Sequence, residues 1–595
     1  MKLVFDVESN HYDFKKLHTL HCLVAQDVDT EVIYKFVGED IKEGIKLLME
    51  ADELIAHNGI RFDIPALQMF YPQFKPTATI SDTLVMSRLG KPKWFTHKLE
   101  HWGRVLHFKK GDYAEKFKEE AGDTYETGDE WQTFNQPMLD YCVQDVRVNR
   151  RVYLELSKCM PTMFSREVLE LEQYTTELME KQKKVGVGFD KEKATKLMLH
   201  LMDRREELDA QLRESFGGFY KRGKEFTPKK SLKRLHYTAG SPMTKIIWTK
   251  FSPTSRDHIS YWLQKKYNWV PTDFTDGGKP KVSETVLQEL ASVYPEAEPL
   301  AEHFMVSKRL SAISEGKGSW FNTVGSDGRI HGNINPQGTS TYRATHSRPN
   351  MSQVPSLKKP YGAECREIFS PSREGFVNLG VDMSGIEARL LGHYCYKFDD
   401  GLLNDVILHG DIHSENQKAA GLPTRDLAKT FFYSLMYGAG DAHIGAQLGG
   451  DMSTGRKARA KFMKNMPAYS TLVSRVSAFR KANNGFIRAL DGRMVPVEAE
   501  HTVLNYLLQS AGAILSKKWM EIFHYSAETA GFTWGVDYFQ WGYHHDEIQV
   551  GVAERRAEEL GRICVESIKE AGEFYKLNIP LTGEAIIGRN WAECH

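Results

Sequence analysis

Two apolar segments that carry acidic residues at their ends constrain the fold of this 595-residue chain most strongly. One is Leu379–Asp382, and the other is Tyr543–Val550, which holds Asp546 and Glu547 in a short polar break. Apolar runs of this length are typical of buried strands, and a polar break between two of them indicates a turn. We therefore expect a sheet with carboxylates at its strand ends. Hard divalent cations prefer such oxygen ligands.

A helix with a cationic face is predicted between the two acidic segments, with Thr424 as its N-cap and Gly438 as its stop. Residues four apart advance by about 40° around a helix, so one face carries four regularly spaced side chains: Arg425, Lys429, Tyr433 and Tyr437. Two cations at a helix N-terminus fit a triphosphate, and His413 adds a phosphate contact. Such spacing is more often only a solvated face, but the order of two cations and then two phenols favours a ligand site.

Three further polar residues fit contacts to a nucleic acid. Arg343 lies in a loop rich in Pro and Thr and suits a minor groove, where every base pair presents acceptors, although it could instead pin its loop. Asn505 and Gln509 lie one turn apart in an otherwise apolar helix. Buried amides need partners, which are base edges and primer sugars, each other, or the backbone. Metal-binding acids, a triphosphate site and these contacts together indicate nucleotidyl transfer.

The N-terminal third carries a second set of acids, which begins on a strand. Leu3–Glu8 alternates apolar and acidic residues, so Asp6 and Glu8 point to the same side of that strand. A second strand at Glu53–Ala56 runs into a turn that places Asp63 on a helix.

A third acidic segment, Met138–Val146, predicts a helix with Tyr141 and Asp145 one turn apart on one face. Acids converging from these strands and helices fit two Mg²⁺ or Mn²⁺ ions. Each acid alone is more often an unrelated surface group. The ordered set D-x-E, N-x₄-D and Y-x₃-D is much more specific.

The middle of the chain changes from helical to basic. Residues 165–215 repeat apolar side chains at helical spacing, which suits long antiparallel helices. Residues 217–266 contain twelve Lys or Arg against two acids, with aromatic residues between them. Such a segment suits contact with phosphates and bases, or with a partner protein. The alternative is a solvated, partly disordered loop.

The overall composition places weak limits on function. A net charge of zero argues against a nucleic-acid partner, but the local distribution of charge matters more than the sum. Seven dispersed cysteines without a Cys-x-x-Cys pair fit reduced thiols in a cytoplasm. There is no basic-then-apolar leader and no apolar run of about 20 residues, so we expect a soluble protein without a membrane partner.

These motifs resemble two known families. The N-terminal set is similar to the tyrosine-bearing DEDD proofreading exonucleases. The segments around Asp382, Arg425 and Asp546 resemble motifs A, B and C of the family A DNA polymerases, and most of all the podophage replicative polymerases that recruit thioredoxin. Two positions depart from the family pattern: His544 stands where an apolar residue is common, and Tyr342 where relatives often have Gly.

The resemblance implies a role for each residue. In the polymerase half, Asp382, Asp546 and the Met383 carbonyl would hold two Mg²⁺ (or Mn²⁺) ions, with Glu547 in support. The incoming dNTP would be held by His413, Arg425, Lys429 and Tyr433, with Glu387 excluding ribonucleotides. Primer-template DNA would meet Arg343, Tyr437, Gly438, Asn505, Gln509 and His545. In the exonuclease, Asp6, Glu8, Asp63 and Asp145 would hold two further metals, and Tyr141 would orient water.

The implied architecture is a multidomain α/β fold. It joins a ribonuclease H-like DEDD exonuclease domain (1–162) to a right-hand polymerase. The expected polymerase parts are a thumb (163–310) with a basic insertion at about 217–252, palm (311–400), fingers (401–500), and palm with the C-terminus (501–595).

Partners and competing functions also follow from the resemblance. A thioredoxin-like processivity factor at the basic insertion and a phage helicase-primase are expected partners, in the cytoplasm of an infected bacterium. The insertion is shorter than in the thioredoxin-recruiting relatives. Two alternatives remain, namely a nuclease whose polymerase half only positions DNA and a non-catalytic DNA-binding or processivity subunit.

Overall fold

A computed structural model of the chain describes residues 1–122, 125–271, 274–275, 277–294 and 297–594. The chain forms two compact units. Unit 1 comprises Met1–Val187, Gly332–Ser347 and Ser370–His595, and unit 2 comprises Gly188–His331 and Arg348–Phe369.

The N-terminal part of unit 1 is built on a five-stranded sheet in the order β3-β2-β1-β4-β5. Its strands are β1 (Lys2–Ser9), β2 (Leu20–Asp27), β3 (Ile33–Val37), β4 (Glu53–Ala56) and β5 (Thr79–Asp82). Strand β1 is antiparallel to β2 and parallel to β4. Its helices are α1 (Ile41–Met49), α2 (Asp63–Phe70), α3 (Thr83–Gly90), α4 (Leu99–Val105), α5 (Tyr113–Ala121), α6 (Gln136–Met163) and α7 (Arg166–Val185).

Unit 2 begins within a short strand, β6 (Val187–Phe189). Its long helix α8 (Lys191–Phe216) leads into an antiparallel hairpin of β7 (Gly218–Phe226) and β8 (Met243–Lys250). The remaining elements are α9 (Arg256–Tyr267), α10 (Glu284–Val293), α11 (Glu298–Leu310), α12 (Trp320–Thr323), β9 (Arg329–Ile330), α13 (Gly362–Glu367) and β12 (Phe369–Ser370). Strands β12, β6 and β9 form a small sheet in that order.

The C-terminal part of unit 1 contains a four-stranded antiparallel sheet in the order β16-β17-β13-β18. The strands of this part are β10 (Asn333–Asn335), β11 (Thr345–Ser347), β13 (Phe376–Met383), β14 (Phe486–Arg488), β15 (Met494–Pro496), β16 (Tyr538–His544), β17 (Glu547–Ala553) and β18 (Gly583–Gly588). The helices are α14 (Ile386–Asp399), α15 (Leu402–His409), α16 (Ile412–Ala420), α17 (Arg425–Met436), α18 (Asp441–Gln447), α19 (Met452–Asn465), α20 (Pro467–Ala482), α21 (Val503–Thr529) and α22 (Ala557–Phe574).

A smaller hydrophobic cluster packs α1 and α2 against the N-terminal sheet, and a larger one runs through unit 1. Buried side chains of the N-terminal sheet, α6, α7, the C-terminal sheet and α21 belong to it. Charged groups are nevertheless fully buried inside this unit. The Glu172 carboxylate of α7 contacts the Lys517 ammonium of α21 at 2.7 Å and also pairs with the Arg493 guanidinium. Buried charges are tolerated only when paired in this way, so the cluster ties α7 to α21.

Several predicted elements are confirmed. Strands at Leu3–Glu8 and Glu53–Ala56, the two helices within residues 165–215, and the start of a helix at Asp63 are all present. The basic segment forms a hairpin, which sequence patterning did not predict. The expected thumb boundary at residue 163 falls inside unit 1, and residues 311–331 of the expected palm fall in unit 2. Across the described residues, no helix is long and apolar enough to cross a membrane.

Candidate active sites

The acids of the C-terminal sheet meet where its strands end. In the strand register, Asp382 of β13 lies opposite Glu547 of β17 on one side and opposite Glu584 of β18 on the other. The Met383 amide donates to the Asp546 carbonyl at 3.0 Å, which joins β13 to the turn between β16 and β17. Three predicted residues, Asp382, Asp546 and Glu547, are therefore brought together, and Glu584 joins them.

Helix α21 holds the turn that carries Asp546. His545 has a φ of 65°, in the left-handed region that non-glycine residues seldom adopt. The Ser516 hydroxyl of α21 donates to the His545 carbonyl at 2.5 Å. Since such a backbone conformation persists only where its surroundings fix it, α21 fixes the direction of Asp546.

The electrostatics of this sheet end favour a bound cation. Burial, and then the charges of Asp546, Glu547 and Glu584, raise the pKa of Asp382 to about 7. Burial likewise raises the pKa of Asp546. Carboxylates held together in a partly desolvated place repel one another, and a divalent cation relieves that repulsion. The donor set of hard oxygens fits Mg²⁺ or Mn²⁺.

Glu547 differs from its two neighbours, because its carboxylate is already engaged. Its Oε1 accepts from the Trp591 indole N–H and from the Gln549 amide, each at 2.6 Å. The His544 ring stacks on Trp591, with ring centroids 4.5 Å apart. His544, which stands where relatives often have an apolar residue, therefore packs against Trp591 as a flat aromatic ring.

The cationic helix is present as α17, and its cap is the predicted one. The Thr424 hydroxyl accepts from the Leu427 amide at 3.2 Å, and Gly438 follows the helix with a φ of 76°. A Cβ at Gly438 would lie 2.9 Å from the His501 carbonyl oxygen, so this position also requires glycine for space.

The first cation of α17 is engaged by an acid. The Arg425 guanidinium bonds both Asp411 carboxylate oxygens, at 2.6 and 3.1 Å. This pair keeps the pKa of Asp411 well below its usual range. The His413 ring lies 5.9 Å from the Tyr433 ring, so three of the expected triphosphate contacts, Arg425, Tyr433 and His413, lie on or beside α17. Asp411 orients the first of them.

Glu387 connects two of the other predicted residues. Its carboxylate accepts from the Tyr437 hydroxyl at 2.9 Å and from the Arg343 guanidinium at 3.3 Å. The Tyr433 and Tyr437 rings are nearly parallel, with centroids 6.3 Å apart. Farther along, the Thr341 hydroxyl donates to the Gln509 amide oxygen at 3.4 Å. The expected sugar, template and minor-groove contacts therefore form a connected set.

The structure shows how Tyr342 fits a position where relatives often have Gly. Its φ is 60°, which is a conformation that favours glycine, and its side chain is buried. The Arg493 guanidinium lies 4.8 Å from the centre of its ring. A cation–π contact of this kind offsets part of the backbone strain.

The N-terminal acids form a second cluster around β1. Ligand atoms of Asp6, Glu8 and Cys142 all lie within 4.8 Å of one another. The Asp63 carboxylate, at the start of α2, accepts from the Val7 amide at 3.2 Å and so reaches the same strand. Burial raises the pKa of Asp63 to about 7, and it also raises those of Asp6 and Glu8.

Helix α6 supplies the other predicted residues of this cluster. The Lys110 ammonium lies 2.8 Å from the Asp145 carboxylate and 4.8 Å from the centre of the Tyr141 ring. Burial raises the pKa of Asp145 to about 6, even beside this cation. The other carboxylate oxygen of Asp145 is buried and accepts no hydrogen bond within the described part of the chain. An unmet acceptor among crowded acids fits a divalent cation.

A cavity of about 820 Å³ opens onto this cluster, with Asp6, Asn58, Lys110, Tyr141 and Asp145 in its wall. Asn58 has a φ of 70°, and its backbone N–H donates to the Asp82 carboxylate at 3.0 Å. The same carboxylate caps α3. Asp82 thus fixes the turn that leads to Asp63.

Sequence reasoning missed several residues of these sites. Glu584 is the second residue of a short strand with little patterning, and Lys110 belongs to a polar loop. Ser516 resembles any small residue of a buried helix, and Asp411 resembles any acid that caps a helix. The available signals were an acid two residues before His413 and adjacent lysines before Gly111.

Residues 228–593 match the sequence profile of DNA polymerase family A, and the chain belongs to that family. Over an alignment of 709 positions covering all of both chains, it is 34% identical to the DNA-directed DNA polymerase of Escherichia phage T7. The DNA-directed DNA polymerase of Enterobacteria phage T3 is similar to the same extent. The fold is similar to that of the POL domain of Pol1 from M. smegmatis, solved with a DNA primer-template and dNTP. That match has a TM-score of 0.77 at 17% identity, over 100% of this chain and 96% of that one.

Family membership and the mixed α/β polymerase fold are thus confirmed. The exonuclease assignment, the domain boundaries and the individual residue roles stay predictions.

Proposed function

We propose that this chain is a template-directed DNA polymerase of a phage, adding dNTPs to a primer 3′-hydroxyl with two divalent metals. The observation that carries the proposal is the meeting of Asp382 and Asp546 at adjacent strand ends, in a chain whose family is that of DNA polymerases. Asp382 and Asp546 repel each other at this end of the sheet, and that repulsion lowers the stability of the fold. A purely structural role therefore does not account for the two acids.

The residues of this site would have two roles, metal binding and triphosphate binding. Asp382 and Asp546, with the Met383 carbonyl, would hold the metals. When bound, these metals would lower the pKa of the primer 3′-hydroxyl and neutralise charge on the phosphates. Arg425, Lys429 and His413 would hold the triphosphate and stabilise the charge that accumulates on it.

Substrate selection is assigned to the residues around Glu387. Glu387 would exclude a 2′-hydroxyl, and its bonds to Arg343 and Tyr437 support that role by fixing the carboxylate. Tyr433 would pack against the sugar, and Gly438 would leave space beside the template base. Arg343, Asn505, Gln509 and His545 would contact the primer-template end.

The N-terminal cluster is proposed as a 3′–5′ proofreading exonuclease. Asp6, Glu8, Asp63 and Asp145 would hold its metals, and Tyr141 would orient the attacking water. The crowding of raised-pKa acids beside an open cavity supports this role. Lys110 would neutralise Asp145 and the scissile phosphate.

Primer-template DNA and dNTPs are the proposed partners. A thioredoxin-like processivity factor and a helicase-primase are proposed on the resemblance alone. The two competing functions, a nuclease without synthesis and a non-catalytic DNA-binding subunit, leave the acids at the C-terminal sheet without a purpose.

Extension of a labelled primer on a single-stranded template with Mg²⁺ and dNTPs tests the polymerase. We expect extension by the wild-type chain and loss of at least about a thousandfold in Asp546→Asn. Glu593→Gln, a matched acid-to-amide change near the C-terminus, should extend normally. A wild-type chain that binds the primer-template without extending it would contradict the proposal.

A further inference from the structure

The hairpin of β7 and β8 in unit 2 has one face that the proposed chemistry does not use. In its register Tyr220 pairs with Trp248, and Arg222 pairs with Ile246. Directly opposed residues lie on the same side of a sheet, and so do residues two apart. Tyr220, Arg222, Ile246, Trp248 and Lys250 therefore share one face.

The apolar groups on this face are open to solvent. The exposed fractions are 69% for Tyr220, 54% for Trp248 and 72% for Ile246. The two rings meet edge to face, with centroids 4.9 Å apart, which holds them in a fixed arrangement. Such rings are seldom left exposed without a ligand.

The opposite face of the hairpin is anchored. Phe219 stacks on Tyr261 of α9, with ring centroids 4.3 Å apart, and meets His258 edge to face at 5.0 Å. Phe251, directly after β8, belongs to the buried core of unit 2. The base of the hairpin is thus held while the aromatic face remains free.

Charge identifies the class of ligand. Residues 218–250 contain nine Lys or Arg against one acid, Glu225, and all nine cations are exposed. Arg222 and Lys250 lie on the aromatic face itself, on either side of the ring pair. A polyanion is therefore favoured over a neutral protein surface.

The rings distinguish a single strand from a duplex. Phosphates of either form satisfy the cations, but only unpaired bases offer flat faces for stacking on Tyr220 and Trp248. We propose that this face of the hairpin binds single-stranded DNA, with bases on the two rings and phosphates on the flanking cations. This site goes beyond the proposed polymerase and exonuclease chemistry and does not depend on either.

The test measures binding of a fluorescent oligothymidine to the full chain, in EDTA to stop both reactions. A short blunt duplex of equal length is measured in parallel. The double variant Tyr220→Ala, Trp248→Ala should lose roughly tenfold in single-strand affinity and keep its duplex affinity. Arg222→Ala with Lys250→Ala should weaken both ligands and reduce the dependence on salt.

Matched controls separate stacking from general surface effects. Tyr525→Ala removes a ring with 72% exposure from α21 in unit 1 and should leave binding unchanged. Tyr220→Phe with Trp248→Phe should restore affinity to near the wild-type value. Photo-crosslinking of an iodouracil oligonucleotide, read by mass spectrometry, should label peptides within residues 218–250.

Two results would overturn the proposal. One is unchanged single-strand affinity in the alanine double variant, which would assign the rings to another ligand, such as a partner protein. The other is crosslinking only outside the hairpin. Primer extension by the same variants is recorded separately, so failure of the polymerase proposal would be visible in the wild-type chain while this binding result stands.

Discussion

At the scale of single residues, the acids at the strand ends repel one another when no metal is bound, and this repulsion destabilises the folded chain. Asp382 is crowded by Asp546, Glu547 and Glu584, which together with burial raise its pKa. A functional cluster of this kind costs stability that a neutral substitution recovers.

Asp382→Asn should therefore stabilise the chain by about 1 kcal/mol in EDTA. Adding Mg²⁺ should raise the Tm of the wild type by more than that of the variant, because the variant has lost one ligand and one repelling charge. Thermal unfolding with and without Mg²⁺ measures both. A lower Tm of the variant in EDTA would contradict the inferred repulsion.

Tyr342 offers a second test at this scale. Its hydroxyl is buried and has no hydrogen-bond partner among the described residues. Tyr342→Phe should be neutral or stabilising by up to about 1 kcal/mol, because it removes an unmet polar group and keeps the ring on Arg493. Tyr342→Ala should cost about 3 kcal/mol through the cavity it leaves. Denaturant unfolding measures both, and a loss above 1 kcal/mol in the Phe variant would argue against this packing.

At the scale of secondary-structure elements, helix α21 supports both the sheet acids and the core. One of its turns holds the His545 carbonyl through Ser516, and the next residue pairs with Glu172 of α7. Only the polar residues near the start of this helix, Asn505 and Gln509, stand out in the sequence.

Ser516→Ala should lower kcat for nucleotide addition about tenfold and leave the KM for dNTP nearly unchanged. The reason is that the lost hydrogen bond fixes the direction of Asp546 and does not touch the triphosphate residues. Ser510→Ala is the control, since among the described residues that hydroxyl bonds only the Leu507 carbonyl of the same helix. Equal kcat values for both variants would exclude the positioning role.

Lys517 makes the stability of unit 1 depend on pH. Burial lowers its pKa to about 8, despite the opposing charge of Glu172, whereas the unfolded chain keeps the usual value near 10.5. Between these values the unfolded state binds more protons, so this group's contribution to stability rises with pH. It is fully present only above the unfolded pKa and is lost as pH falls through about 8.

The comparison of wild type with Lys517→Met isolates that contribution. The free energy of unfolding of the wild type, minus that of the variant, should increase by about 2 kcal/mol from pH 7.5 to 9.5. Denaturant unfolding at the two pH values measures it. A difference that stays constant or falls would contradict the lowered pKa of Lys517 in the folded chain.

At the scale of the whole molecule, sequence patterns predicted what depends on local order. The strands that carry Asp6 and Asp382, the cap at Thr424 and the helix start at Asp63 follow from spacing and capping chemistry. These signals lie within a few residues of the groups they place.

The rest depends on contacts between distant segments. Glu172 has the pattern of a surface residue, yet its partners Arg493 and Lys517 lie more than three hundred residues away and bury it. The hairpin was missed because cations are exposed on both of its faces, which hides the alternation that marks a strand. Lys110 reaches Asp145 from a loop without any periodic signal.

The most direct test of two separate active sites uses one labelled primer with a mismatched 3′ end, annealed to a longer template with Mg²⁺ and dNTPs. The wild type should trim the mismatch and then extend. Asp546→Asn should trim without extension, and Asp63→Asn should leave the mismatch in place while still extending a matched primer. If either variant lost both reactions while remaining folded, or if the wild type never trimmed, the assignment of separate synthesis and proofreading sites would be wrong.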